Sequence, residues 1–563
     1  MAQSATAQQT DLLLAGAARI ERLQAHLESI ESIRAIKRLQ YAYGHYVEFG
    51  LWNDFADLFT EDAATNYQQG ARGKAQIHKL FFEQVGQGKL GLSEGRIYPH
   101  ILFQPVITLA PDGRTAKGRW RILAMLGGYG GSATWYSGVY ENEYVLENAR
   151  EGAGVWKISV LHSEPKVTAA YTAAGWKDSG VHVPLHYTAE SVAAVIPDAP
   201  IKTSGTTPSL ASLADRVNGL SRRAARLNDQ GAVTNLQDTY GYAVDRKLWD
   251  QAAGLFANSG TMELGLQGVY VGKARIRHAL DQFGPQGLDV GKQGGELNDH
   301  IYLQTLVSVA PDGLTANARG VELIMSSVSG GELSEGTYEN TFVKQNGAWK
   351  IQSVHFYPRM IVDAAAGWAK SAKPAPGPSK EFPPDRPPTA SYEIYPKFAV
   401  APFHFNNPVT GKSPQYPEGT PSAKSMAPST AVPRGPAIRN AADLAARVAE
   451  LEHSIAAAEA YDAAEKSIDA YGYSRDDSPS TEGGTLFANQ ILQPVIGVAP
   501  DGKSAKVRAR RLDLGGTSGG SGYWAAGTFE GQIVSEKGLW KFQIAGSATG
   551  WSAPYPGGWG RTP

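Results

Sequence analysis

The sequence predicts an α+β fold repeated along the chain, in two complete copies followed by a degenerate third. Three observations predict it. Ala110-Pro111-Asp112-Gly113 returns as Ala310-Pro311-Asp312-Gly313 and as Ala499-Pro500-Asp501-Gly502, each time between two strand-like runs. Each copy opens on a long helical pattern and continues with closely spaced strands. Other landmarks recur in step with these two. Self-similarity at such a period marks a repeated structural unit, and helices followed by strands mark an antiparallel sheet packed on helices.

The opening helices are read from apolar residues at three- and four-residue steps. Ile20, Leu23, Leu27, Ile30, Ile33, Ile36 and Leu39 form the pattern in copy one; Leu213, Val217 and Leu220 begin it in copy two, and Leu444, Val448 and Leu451 in copy three. Tyr43-Gly44-His45 then matches Tyr240-Gly241-Tyr242 and Tyr471-Gly472-Tyr473. Leu51-Trp52, Leu58-Phe59 and Gly73-Lys74 match Leu248-Trp249, Leu255-Phe256 and Gly272-Lys273. The Pro-Asp-Gly elements predict hairpins, because proline presets φ and glycine supplies the left-handed position. Trp156-Lys157-Ile158 returns as Trp349-Lys350-Ile351 and Trp540-Lys541-Phe542, and Gly175-Trp176 returns as Gly367-Trp368 and Gly550-Trp551.

Copy three is shortened. Tyr43 and His100 are 57 positions apart and Tyr240 and His300 are 60, but Tyr471 and Asn489 are only 18. The Leu-Trp segment, the first strand and the helix after it are missing, so this copy is not expected to enclose a cavity. The domains are therefore drawn at 16–176, 210–368 and 440–563. The segments 177–209 and 369–439 are linkers; the second is rich in proline and too polar for a core of its own. Pro184-Leu185-His186-Tyr187 in the first echoes Pro402-Phe403-His404-Phe405 in the second, and both are expected to strap the domains rather than to act as lids.

Composition narrows the function. The 563 residues carry a net charge of −1, with no basic stripe for nucleic acid. There is no cysteine, which excludes thiolate chemistry and disulfides. No apolar run approaches the ~18–20 residues of a membrane span. A soluble chain is expected, cytoplasmic or, if Met1 to Gln8 follows a cleaved leader, periplasmic. No phosphate loop, dinucleotide fingerprint, zinc-ligand spacing or nucleophile elbow is present, so no cofactor or metal is expected.

What remains is a set of polar residues present in both complete copies. Copy two has Tyr240, Tyr242 and Asp245 at the end of its long helix, His300 at the head of a strand and His355 on the last strand. Copy one has Tyr43, His45 and Glu48, then His100 and His162. Residues three apart on a helix share a face. A carboxylate and an imidazole that meet in an apolar cavity can orient and tune each other for general acid–base catalysis. Singly, a strand histidine or a helix-end tyrosine is more often a packing residue; the recurrence of the set favours function. Copy three keeps Tyr471, Tyr473 and Asp476 but has Asn489 and Gly546 where the histidines stood, which weakens the tyrosines relative to the histidines. Arg319 has counterparts in Arg119 and Arg508, the latter in the copy without histidines, and is read as structural.

The order Tyr-x4-Asp, Leu-Trp, Leu-Phe, Gly-Lys, a histidine before a strand and Trp-Lys-Ile with a nearby histidine resembles the SnoaL-like branch of the nuclear transport factor 2-like superfamily. That superfamily includes scytalone dehydratase, ketosteroid isomerase, limonene epoxide hydrolase and polyketide cyclases. The resemblance implies a cone-shaped barrel, a curved antiparallel sheet around helices, and a cofactor-free acid–base enzyme. Scytalone dehydratase works with tyrosines, an aspartate and two histidines, which fall at Tyr240, Asp245, His300 and His355; copy one departs with Glu48 at the aspartate. The reading is a dehydratase-like lyase on a small apolar or aromatic substrate, with isomerisation, epoxide opening, retro-aldol cleavage, plain ligand binding and assembly as alternatives. Copy two is the expected working site, with His300 as acid–base, Asp245 as its partner, Tyr240 and Tyr242 as donors to a substrate oxygen and His355 assisting. Superfamily members commonly pair through the outer face of the sheet. Copies one and two are expected to do so within the chain, with copy three capping a sheet edge or contacting a second chain.

Overall fold

The computed structural model describes residues 2–147, 154–171, 183–194, 196, 208–288, 296–327, 330–420, 435–476, 486–516 and 522–555. Gly175-Trp176 lies outside them. Copy one runs α1 (Ala2–Glu48), α2 (Trp52–Asp57), β1 (Phe59–Thr65), β2 (Ala71–Arg72), α3 (Lys74–Gln84), β3 (Arg96–Ile97), β4 (His100–Leu109), β5 (Thr115–Gly128), β6 (Ala133–Glu147), β7 (Val155–Leu161) and β8 (Ser163–Ala170). The short α4 (Ala189–Ala193) lies in the first linker. Copy two runs α5 (Leu210–Asp245), α6 (Trp249–Gly254), β9 (Phe256–Leu264), β10 (Val269–Val271), α7 (Lys273–Leu280), β11 (Asn298–Val309), β12 (Thr315–Ser326), β13 (Glu332–Gln345) and β14 (Ala348–Asp363). Copy three has α8 (Ala441–Asp476), β15 (Leu486–Val498), β16 (Ser504–Gly516), β17 (Gly522–Glu536) and β18 (Leu539–Tyr555). Among the described residues it lacks counterparts of α6, β9, β10 and α7, as the shortened spacing predicts.

The sheets follow one plan. The second is ordered β10-β9-β14-β13-β12-β11 and the third β15-β16-β17-β18; in the first, β2-β1-β7-β6-β5-β3 carries β4 beside β5 and β8 beside β6. The strands pair antiparallel except β1 with β7 and β9 with β14, which run parallel. All three Pro-Asp-Gly hairpins form, with Gly113, Gly313 and Gly502 at φ 65°, 69° and 66°, where a side chain is disfavoured. Helices and sheet enclose an aromatic core in each complete copy. In copy three the space is taken by packed aromatic rings, with Tyr471 tilted and Phe542 edge-on to Phe529 at 5.1 and 6.0 Å.

The copies do not associate as a pair with an appended cap. They surround a pseudo-three-fold axis. The N-terminal halves of α1, α5 and α8 form a three-helix bundle through Leu27 and Ile30, Leu220 and Leu227, and Leu451 and Ile455, all buried. Ion pairs lace it: Arg216 reaches Glu21 at 2.5 Å, Arg223 reaches Glu31 at 2.5 Å, and Arg34 reaches Asp462 at 3.1 Å. The outer faces of all three sheets meet in one apolar core, where Trp135 of copy one packs on Trp368 of copy two and Trp524 of copy three at 5.2 and 5.5 Å. Copy three joins as an equal because β15, β16 and β17 keep the same apolar outer face, with Leu492, Leu512, Leu514 and Trp524 buried. Each such side chain contributes about 1.5–3 kcal/mol when withdrawn from water.

One repeated device closes the ring. Gln104, Gln304 and Gln493 sit at bulges of β4, β11 and β15 with φ of 58°, 55° and 54°. Gln304 Oε1 accepts the Leu102 N–H of copy one at 2.6 Å, Gln493 Oε1 accepts the Tyr302 N–H of copy two at 3.2 Å, and Gln104 Oε1 accepts the Ile491 N–H of copy three at 3.2 Å. A Cβ on Gly44, Gly241 or Gly472 would collide with Gln304, with Gln493 and Tyr302, or with Gln104, respectively. The glycine of each Tyr-Gly motif is thus required by the neighbouring copy. The contacts are head-to-tail and close after three steps, the geometry of a cyclic oligomer, here within one chain.

Candidate active site

The cone of copy two holds the most complete polar cluster. β11 alternates, so Ile301 and Leu303 face the shared core while His300 and Tyr302 face the cone. His300 Nδ1 lies 2.7 Å from Glu322 Oε1 on β12, and Glu322 stands directly opposite Tyr302 in the ladder. The Tyr240 ring, from the end of α5, lies 6.2 Å from Tyr302, and Tyr302 lies 5.2 Å from Tyr338. The Glu322 side chain is 6 % exposed and that of His300 19 %. Burial, with Glu322 nearby, pushes the Tyr240 and Tyr302 phenols above their ordinary range, so both are protonated donors at neutral pH. A carboxylate on Nδ1 fixes the tautomer that leaves Nε2 free to take a proton.

Copy one builds a different cluster at the same place. His100 Nε2 is 3.0 Å from the Tyr140 hydroxyl, which is 3.2 Å from that of Tyr43. His100 Nδ1 is buried without a hydrogen-bond partner. Ile122 stands where copy two has Glu322, so this imidazole has no carboxylate, and burial pushes its pKa down to about 3. A neutral ring of that kind is a weak base.

The remaining expected site residues lie elsewhere. Asp245 is not the ring partner of His300. Its carboxylate accepts the His300 backbone N–H at 2.6 Å and pairs with Arg510 of copy three. Asp476 pairs in the same way with Arg121 of copy one. At the third interface copy two has Val321 in place of the arginine; Arg359, held by Glu335 at 2.7 Å, reaches across to Glu48 instead. The longer side chain of Glu48 therefore serves a relocated arginine. Tyr242 donates to the Gln493 carbonyl at 3.0 Å, as Tyr473 does to that of Gln104 at 2.9 Å, so Tyr242 is an interface residue. His45 occupies the corresponding place facing Gln304, with burial and then Arg319 holding its pKa well below the ordinary value.

Both last-strand histidines face away from the cones. Val354 and Leu161 point inward, which turns His355 and His162 to the other side. His355 stacks on Tyr357 at 3.8 Å with Glu263 at 3.7 Å, and burial pushes it down to about 4. His162, 43 % exposed, pairs with Glu164 at 2.9 Å. Glu322 was missed by the sequence reading because it occurs in one copy only; its signal is a charged residue within the apolar run Val321 to Met325. Among the described residues, no three His, Asp or Glu side chains converge in metal-binding geometry.

Comparison with known proteins agrees with the repeats. Residues 28–162 and 225–355 match the model of the SnoaL-like domain. The chain carries two SnoaL-like domains. This family includes cofactor-independent acid–base enzymes, dehydratases and isomerases among them. Similar solved structures each cover about a quarter of the chain. A Mycobacterium tuberculosis protein of unknown function is 19% identical over 23% of this chain and 75% of its own, with a TM-score of 0.19. A candidate scytalone dehydratase from Novosphingobium aromaticivorans is 19% identical over 27% and 98%, with a TM-score of 0.22. A type 2 hexachlorocyclohexane dehydrochlorinase is 16% identical over 24% and 89%, with a TM-score of 0.21. No curated protein matches significantly. No helix among the described residues is long and apolar enough to cross a membrane.

Proposed function

We propose that the second SnoaL-like domain is a cofactor-independent lyase of the dehydratase kind, acting on a small, largely apolar or aromatic alcohol. The observation that carries this reading is the 2.7 Å contact of His300 with Glu322 inside an aromatic cone. His300 Nε2 takes a proton from the carbon beside the carbinol. The C–O bond breaks, the double bond forms, and the imidazolium returns the proton to the departing hydroxyl, which leaves as water. Glu322 stabilises the transient imidazolium, and Tyr240 and Tyr302 donate to the substrate oxygen as charge develops on it. Isomerisation, epoxide opening or retro-aldol cleavage would use the same groups. The first domain, with an uncharged His100 and a buried orphan nitrogen, suits ligand binding better than proton abstraction.

The test is a panel of aromatic alcohols incubated with the protein, with products followed by mass spectrometry. His300→Ala and Glu322→Gln should each lower turnover by ~10²–10⁴, the usual cost of removing a positioned acid–base group. His100→Ala should matter less. Equal losses from His100→Ala and His300→Ala would mean two working cones, and ligands retained without turnover at any pH would leave a binding protein.

A further inference from the structure

The pseudo-three-fold arrangement creates three equivalent grooves, each between the end of one long helix and the strands of the next copy. The chain fills two of them with its own linkers, in the same way. Between copies one and two, Arg319 donates to the carbonyls of Ala401 and Pro402 at 3.2 and 3.0 Å, and its guanidinium stacks on Phe403 at 3.7 Å. Two residues after Pro402, His404 Nδ1 meets Glu339 at 2.8 Å. Between copies three and one, Arg119 donates to the carbonyls of Val183 and Pro184 at 3.3 and 3.4 Å. Two residues after Pro184, His186 Nδ1 meets Glu141 at 2.7 Å. Phe403 packs on Tyr46 and Phe49, and Tyr187 joins Tyr473 and Val139.

The third groove, between copies two and three, keeps the receptor and has no strap among the described residues. Arg508 and Glu530 are the counterparts of the arginine and glutamate, and they pair at 2.7 Å. The first two pairs are buried under their straps, with side-chain exposures of 5 and 16 % for Arg119 and Glu141 and of 0 and 12 % for Arg319 and Glu339. For Arg508 and Glu530 the values are 54 and 65 %. Beside them opens a cavity of about 660 Å³ lined by Tyr242, Arg246, Asp299, Arg510 and Trp551.

We propose that this third groove is a docking site for an extended segment of a partner protein with the pattern apolar-Pro-apolar-His-aromatic. The two linkers show the occupant's chemistry: two successive carbonyls for the arginine, a histidine two residues after the proline for the glutamate, and flanking apolar side chains for the aromatic wall. The proposal is independent of the chemistry assigned to His300.

The probes are two fluorescently labelled peptides, residues 183–192 and 397–407 of this chain, added to the full-length protein and followed by anisotropy. The built-in straps are held at an effective concentration in the millimolar range, so a useful site binds a free peptide with a Kd below ~1 mM. Saturable binding is expected, weakened at least tenfold by Arg508→Ala, by Glu530→Gln, and by alanine in place of the peptide's histidine. Both protein variants change exposed side chains, and circular dichroism verifies their fold. Three results overturn the proposal: no saturable binding below ~1 mM, binding indifferent to both variants, or binding that appears only after truncation at residue 555. The last would make the chain's own C-terminus the occupant.

Discussion

Asp245→Asn separates chemistry from assembly at the position where the sequence alone suggested a catalytic carboxylate. The substitution removes the charge facing Arg510 in a place where the two side chains are 3 and 6 % exposed. Breaking a buried pair by deleting one partner costs ~3–5 kcal/mol, because the other charge is left uncompensated. Two features place this case at the lower end: Asp299 stays 3.2 Å from Arg510, and an asparagine oxygen still accepts the His300 N–H. A loss of about 3 kcal/mol lowers the melting temperature of a cooperative unit of 150–250 residues by ~6–12 °C. Differential scanning calorimetry measures it. Asp476→Asn is the control, since that carboxylate makes the same interface with Arg121 beside Asn489, where no imidazole exists. Both variants should lose stability, Asp476→Asn at least as much as Asp245→Asn, and both should keep turnover per folded molecule well below the transition. If Asp245→Asn melts normally yet loses turnover while Asp476→Asn does neither, Asp245 belongs to the chemistry and the interface reading is refuted.

Other expectations follow from the same geometry. Burial, with Glu48 close by, pushes Glu335 up from 4.5 to about 7, so the folded protein holds a proton there that the unfolded chain releases. Stability from this site is therefore greatest at acid pH and falls as pH rises between about 4.5 and 7; Glu335→Gln should flatten that part of a melting-temperature profile, and an unchanged slope would remove Glu335 from the account. His355→Ala and His162→Ala should change turnover by less than tenfold, far short of the ~10²–10⁴ expected at His300, because neither ring faces a cone. A large loss in either, measured as kcat on the alcohol panel, would mean that the outer sheet face contributes to the reaction.

Most of the fold was legible in the sequence because repeated turns and helix patterns are local properties. The Pro-Asp-Gly hairpins and the shortened third copy follow from short-range rules. The three-fold ring did not, since it depends on which apolar sheet faces meet at long range, and an alternating strand does not say what covers its outer side. The candidate site was legible in half. Recurrence pointed to His300 and Tyr240, which stand in the cone of copy two, but it also selected Asp245 and Glu48, whose carboxylates recur at the interfaces, and Tyr242, which Tyr473 repeats at a second interface and His45 replaces at the third. The survival of Tyr473 and Asp476 in the copy without histidines was the clue to that. Recurrence had to miss Glu322, which distinguishes one cone from the other two.

The altered ion pair between copies one and two shows what tethering permits. In a ring of identical chains every substitution is made three times, so losing an interface arginine would strip all three contacts at once. Here Val321 replaces it at one contact alone, and Arg359 with Glu48 repairs that contact while Arg121 and Arg510 stay as they are. The same freedom lets one cone fill with aromatic rings and another carry a carboxylate beside its histidine. Three repeats carried in one chain can differ position by position, so the parts of the ring can specialise separately.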